Sequence, residues 1–242
     1  LQQCYNMADT LIVGQCIGAG ALAAVGSAYT LMVFLISVLL GLAMGSGTVF
    51  SLHYGAGNHV ALRRSIFSSF VLIGIVTLIL NVAVFIWLDP ILRLLQVPQD
   101  IYGMMRSYLW IIFCGIVFTF IYNFYASLLR AVGDSVTPLW FLAVSVVLNI
   151  ALDLFFILQL DWGIQGAAAA TVLAQGVAAL GIIIYTYRRR PELRWHHEDM
   201  CFDRTCLKEI ASFSTLTCIQ QSVMNLGILM VCLLYTSPSP RD

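Results

Sequence analysis

Asp9 and Asp153 are carboxylates set inside otherwise apolar stretches, whereas the other ten of the twelve Asp and Glu residues fall in polar connections, near segment ends or in the tail. A charged side chain at the centre of a bilayer costs about 2.5–3.5 kcal/mol on insertion scales, so it persists where a cavity, a partner or a proton makes use of it. Asn149 precedes Asp153 by four positions, which places the two on one face of a helix. The Asn amide can donate to the carboxylate, and its carbonyl can accept from the protonated acid. Thr171 lies at middle depth in the next apolar stretch, directly after the small residues Ala167 to Ala170, whose side chains permit close helix approach. Two carboxylates in one low-dielectric site cannot both carry charge cheaply, so such a group would take up a proton or a metal cation and titrate as a unit.

The elements that must hold these groups are membrane helices. Of 242 residues, 60% are hydrophobic and 10% charged, and the mean hydropathy is +0.91, which excludes an ordinary soluble domain. Zero formal net charge gives no sign of nucleic-acid binding, which gathers Lys and Arg on one surface. The predicted fold is all-α and polytopic, with a truncated first helix to about residue 17 and spans over roughly 22–51, 66–88, 107–129, 138–158, 165–187 and 209–234, each near the 20 or so residues a bilayer requires. Breakers separate them: Gly55-Ala-Gly57-Asn58, Asp89-Pro90, Val97-Pro98, Gly133-Asp134 with Pro138, and Asp161-Trp-Gly163. Nine of the twelve basic residues (Arg63, Arg64, Arg130, Arg188, Arg189, Arg190, Arg194, Arg204 and Lys208) fall in alternate connections. Basic loops stay preferentially cytoplasmic, so the first helix is expected to run from inside to outside in the plasma (inner) membrane, and the 188–208 connection to be cytoplasmic. Residues 235–242 (Tyr-Thr-Ser-Pro-Ser-Pro-Arg-Asp) cannot continue a helix and are read as a non-native tail.

Other constellations carry weaker chemistry. His196, His197, Cys201 and Cys206 have residue types that bind zinc, but their spacing matches no closed ligand set, so no metal is assigned. The seven cysteines are scattered and mostly apolar in context, without a disulfide framework. No phosphate loop, nucleophile elbow or metalloprotease motif is present, so neither an enzyme nor an organic cofactor is expected. Tyr5, Tyr122, Tyr125 and Phe155 are aromatic candidates for contact with a cationic cargo. Glycines 41, 45 and 47 suit tight helix crossing, and Tyr108, Trp110 and Trp162 suit an interfacial belt. An echo of Gln2, Gln3 and Val13 at Gln220, Gln221 and Val231 suggests that a second six-helix unit begins with the last span, in the same orientation as the first.

Several motifs together resemble one family. Gln3-x-Tyr5-Asn6-x-x-Asp9-Thr-x-x-Val13-Gly14, Gly18-Ala-x-Ala-Leu-Ala-Ala-Val25-Gly, Gly41-Leu-Ala-x-Gly45, Tyr54-Gly-Ala-Gly-Asn58, Leu129-Arg-Ala-x-Gly-Asp134-x-x-Thr-Pro138, Asn149-Ile-x-Leu-Asp153 and Gly166-Ala-Ala-x-Ala-Thr171 are similar to the multidrug and toxic compound extrusion (MATE) family. The resemblance implies twelve helices in two six-helix lobes around a central cavity. This chain would supply the amino-terminal lobe (1–187), the inter-lobe linker (188–208) and the first helix of the second lobe (209–234). It further implies a monomeric antiporter when full length, exporting organic cations or amphipathic compounds in exchange for H⁺ or Na⁺, with Asp9, Asn149, Asp153 and Thr171 as the coupling-ion site. Small-molecule substrates and membrane lipid are then the partners. The alternative is a flippase for lipid-linked oligosaccharide precursors from the same wider superfamily; it would require a cationic groove, and the middles of these spans hold no Lys or Arg.

Overall fold

The computed structural model describes residues 11–94, 97, 99–194 and 204–236, and among these every regular element is helical. The described part of the first helix, α1, covers 11–16. It is followed by α2 (Ala19–Gly55), α3 (His59–Leu94), α4 (Gln99–Cys114), α5 (Ile116–Ala131), α6 (Val136–Leu154) with a π-helical turn (Phe155–Gln159), α7 (Gly163–Arg189), a 3₁₀ turn (Pro191–Leu193) and α8 (Arg204–Thr236). Among the described residues four helices are individually long and apolar enough to cross a membrane, and α4 with α5 adds a fifth, bent crossing. Polarity is inverted relative to a water-soluble bundle. Ile86, Trp87, Trp140, Val147 and Leu216 are 62–71% exposed, while Ser46, Ser68, Ser69, Asn149 and Asp153 are wholly buried. With hydrocarbon as the solvent outside, polar side chains find partners only inward.

The span predicted over 107–129 is not one helix. It starts earlier, at Gln99, and breaks at Gly115, where α4 and α5 meet at 45°. The cause is local. A Cβ on Gly115 would come within 2.5 Å of the Val172 side chain in α7, so a residue without a side chain is what lets Val172 pack against the bend. The Gly115 N–H is shared between the Ile111 and Ile112 carbonyls, and Phe118 N–H reaches back only to Gly115. Asn81 of α3 donates its side-chain amide to the Phe113 carbonyl at 2.9 Å. A side chain inserted into the backbone ladder is a recognised source of kinks.

Asp89-Pro90, predicted as a turn, lies inside α3, which continues to Leu94. Asp89 accepts from the Tyr102 hydroxyl (2.9 Å) and the Arg106 Nε (2.8 Å) of α4, and this clamp holds the extra turn in place. Tyr108, assigned by sequence to the interfacial belt, is instead 2% exposed, whereas Trp110 and Trp162 are well exposed. Tyr108 is on the face of α4 that also buries Ile101, Met105 and Ile112.

Close approach is concentrated on α2. A Cβ on Gly41 would meet the Cys218 backbone at 2.6 Å, one on Gly45 the Ser214 backbone at 2.4 Å, and one on Gly47 the Ser127 hydroxyl at 2.4 Å. Ser214 donates to the Leu42 carbonyl (3.3 Å) and Ser127 to the Ala43 carbonyl (2.7 Å). Thus α2 is packed by its glycines against α8 on one side and α5 on the other, the arrangement small residues permit in lipid.

The alternating helix directions bring the basic connections to one end. His53 faces Glu209 at 3.8 Å, and Tyr187 and Arg190 line a cleft with Ile66 and Tyr125. At this arginine-rich end Gly133 adopts φ +88 and Asp134 caps α6, accepting from the Thr137 N–H (3.1 Å) and hydroxyl (2.9 Å). Tyr185 (3.3 Å) and Arg190 (3.8 Å) approach the same carboxylate from α7 and its end. Burial alone would push the Asp134 carboxyl up, but the Thr137 and Tyr185 hydrogen bonds and the Arg190 charge outweigh it and hold the group below the usual carboxylate range.

Two outcomes are expected. Gly45→Val, which drives a side chain into the α8 backbone, should cost about 2 kcal/mol or more, read as a lowered unfolding temperature in detergent that Gly55→Val, in open space, does not reproduce. Asp134→Ala should cost about 1 kcal/mol at neutral pH. Because the folded carboxyl titrates lower than the unfolded one (about 3.9), this contribution is present above about pH 4 and fades as pH falls through the folded value. The unfolding temperatures of wild type and variant should therefore differ at pH 7 and converge as the pH falls through the folded-state value of Asp134.

Candidate functional site

α6 buries Pro138, Ser145, Asn149 and Asp153. These positions recur at seven and four residues, which is one stripe of a helix, and on this helix the buried stripe is polar while Trp140, Val144 and Val147 face outward. Opposite it, α7 presents Ala167, Ala168, Ala170, Ala174 and Ala178 with almost no exposure. Alanines supply no bulk, so α6 and α7 close together around the polar groups.

At the centre, Asn149 donates its amide to the Thr171 hydroxyl at 3.4 Å. Asp153, one turn further along α6, is 0% exposed. The Asn149 side-chain carbonyl is buried with no hydrogen-bond partner among the described residues, which leaves one acceptor available beside the acid. The π-helical turn begins two residues beyond Asp153, with Leu160 N–H bonded to the Phe155 carbonyl; such turns frequently interrupt helices at functional positions. Carboxylate, amide and hydroxyl oxygens of the kinds carried by Asp153, Asn149 and Thr171 are hard donors, of a type that suits a proton or a small alkali cation better than a soft metal. Among the described residues no group of three or more His, Cys, Asp or Glu is assembled.

Of the residues singled out by sequence, Asn149 and Thr171 are in hydrogen-bond contact, Asp153 is buried on the same stripe of α6 one turn from Asn149, and Asp9 lies outside the described residues. The aromatic candidates are dispersed. Tyr122 donates to the Pro138 carbonyl at 2.8 Å, Tyr125 is buried against the cleft at the arginine-rich end, and Phe155 is half exposed at the other end of α6 beside Phe156. Tyr5 lies outside the described residues, as do His196, His197 and Cys201.

Four further polar residues, not singled out by sequence, lie on these two helices and on α5: Thr119 and Asn123 of α5, Ser145 of α6 and Gln175 of α7. The Thr119 hydroxyl donates to the Gln175 side-chain carbonyl, and Asn123 donates to the Thr119 main-chain carbonyl at 2.8 Å. A small cavity is lined by Thr171, Gln175 and Thr119 together with Met32 and Val172. A second small cavity is lined by Thr119, Gln175, Asn123, Ser145 and Tyr122. The available signal was four-residue spacing: Thr119 to Asn123, Ser145 to Asn149 to Asp153, and Thr171 to Gln175.

Comparison with known proteins gives a consistent picture. The MatE family profile matches residues 1–155. The probable multidrug resistance protein YpnP of Bacillus subtilis (strain 168) is 36% identical over 190 residues, 78% of this chain and 43% of that protein. The probable multidrug resistance protein NorM of Thermotoga maritima is 28% identical over 235 residues, 95% of this chain and 50% of that protein. A solved structure of the inward-facing conformation of a multidrug resistance MATE family transporter of the MOP superfamily superposes with a TM-score of 0.87 at 25% identity, covering 93% of this chain and 51% of that one. The chain spans about half the length, or less, of the curated relatives it matches.

Proposed function

This chain belongs to the MatE family, a multi-pass membrane family, and from that premise we propose that the full-length protein is a secondary active efflux antiporter that exports organic cations or amphipathic compounds in exchange for H⁺ or Na⁺. The observation that carries the proposal is Asp153, wholly enclosed on the polar stripe of α6 one turn from the Asn149–Thr171 hydrogen bond. A carboxylate there has lost its hydration and must be compensated by polar neighbours or by a bound proton or cation. In the proposed mechanism Asp153 takes up the proton or Na⁺, the available Asn149 carbonyl accepts from the protonated acid or joins the Na⁺ shell, and Thr171 keeps the Asn149 amide in register. Asp9 of the first helix is proposed as the second carboxylate of the unit. Neutralising the pair changes how the first helix packs, and this shifts the lobe between states that hold and release cargo. The arginine-rich end is proposed to be cytoplasmic in the inner membrane, with residues 188–208 joining two lobes on that side.

The names of the relatives YpnP and NorM, both described as probable multidrug resistance proteins, support a drug-like cargo. The flippase alternative is less well supported, because the cavities beside the site are lined by neutral side chains among the described residues. The test is drug-dependent proton release, with Na⁺ competition, from the purified full-length protein. Asp153→Asn should reduce release by about tenfold or more, within the range of typical coupling energies, while the protein remains folded by its unfolding temperature. Unaltered, tightly coupled export by that variant would sink the mechanism.

A further inference from the structure

Transport through a buried acid requires more than the acid, because the proton must also reach water. The three helices around Asp153 each carry an inward polar stripe: Ser145, Asn149 and Asp153 on α6, Thr171 and Gln175 on α7, and Thr119 and Asn123 on α5. All but Gln175 are 7% exposed or less. The stripes are cross-linked by Asn149 to Thr171 and by Thr119 to Gln175. The two cavities share Thr119 and Gln175, and the first also includes Thr171, so they adjoin through common lining residues, and the Thr171–Asn149 hydrogen bond links the first to the turn that precedes Asp153. At 1.5 Å per residue, the eight positions from Asp153 to Ser145 cover about 12 Å towards the arginine-rich end. Tyr122, which lines the second cavity, is bonded to the carbonyl of Pro138 in the first turns of α6, so the column reaches the end of that helix.

We infer that this column between α5, α6 and α7 is a hydrated path that carries protons between Asp153 and the arginine-rich end of the lobe. The inference rests on the coupling role proposed above for Asp153. Each cavity has room and polar partners for water, the two conditions a buried water needs. Their lining contains no charged side chain among the described residues, which suits relay by water and hydroxyl groups. Thr119, Ser145 and Tyr122 both donate and accept and can pass a proton, whereas the Asn123 and Gln175 amides orient water without exchanging. The charged groups near the mouth are Arg130, Asp134 and Arg190, at the ends of α5, α6 and α7. Interhelical polar contacts also serve as glue in membranes, and glue alone predicts a dry column.

Two measurements on the full-length protein in proteoliposomes separate these possibilities. In a background with the native cysteines replaced, Ser145→Cys should react with Ag⁺ at least about tenfold faster than Ala168→Cys, which is equally enclosed but apolar in setting. Gln175→Leu, and Ala178→Leu as a cavity-filling second variant, should slow drug-triggered proton release by about tenfold without changing the number of protons released, because the path sets the rate and Asp153 the amount. Equal Ag⁺ reactivity at the two cysteines, or wild-type release rates in both leucine variants at unchanged unfolding temperature, overturns the path. If Asp153→Asn releases protons normally while Ser145→Cys reacts rapidly, the coupling assignment fails and the hydrated column stands.

Discussion

A carboxylate with no exposure, on a helix whose outer face is Trp and Val, is the constraint around which this lobe is organised. Water is excluded from the outside of the bundle by lipid, so whatever solvates Asp153 must come from inside the bundle. Asn149 and Thr171 satisfy each other at 3.4 Å and define a polar centre that α6 and α7 must approach closely to build. The alanines of α7 permit that approach. Had they been Leu or Ile, the added bulk would hold α7 away from α6 and part Asn149 from Thr171.

The same economy of volume recurs wherever polar and backbone groups must meet. Gly41 and Gly45 admit α8, Gly47 admits the Ser127 hydroxyl, and Gly115 admits Val172 while bending α4 away from α5. In lipid there is no hydrophobic drive between helices, so van der Waals contact at close range and shared hydrogen bonds do the associating. The kink at Gly115 has a second effect. It turns the next stretch of chain so that Thr119 and Asn123 point at α7, where Thr119 bonds Gln175. A straight helix through 107–129 would present a different face, and the proposed proton column would lose its third wall.

Much of the candidate site was legible because it obeys helical spacing and stands out by polarity. Asn149 and Asp153 are adjacent by period alone, and Thr171 follows a run of small residues. Gln175, Ser145, Thr119 and Asn123 share that periodicity but are ordinary polar residues of a kind that also occurs at helix surfaces, so only the packing shows that they face inward. Tyr108 illustrates the opposite case: the aromatic at a predicted membrane boundary is drawn inside by the direction its helix takes.

Composition, hydropathy and basic-residue placement determined, without coordinates, that the chain is an all-helical membrane protein with alternating basic connections, because transfer free energies act on each segment independently of its neighbours. The same holds for the 149/153 pairing, which is a property of a single helix. Where a helix bends, which glycines meet which backbones, and which separated stripes face one another depend on contacts between segments far apart in the chain. Those contacts are set by shape and by the need to satisfy buried polar groups, and only the tertiary structure decided that α5, α6 and α7 turn their polar stripes towards a common axis.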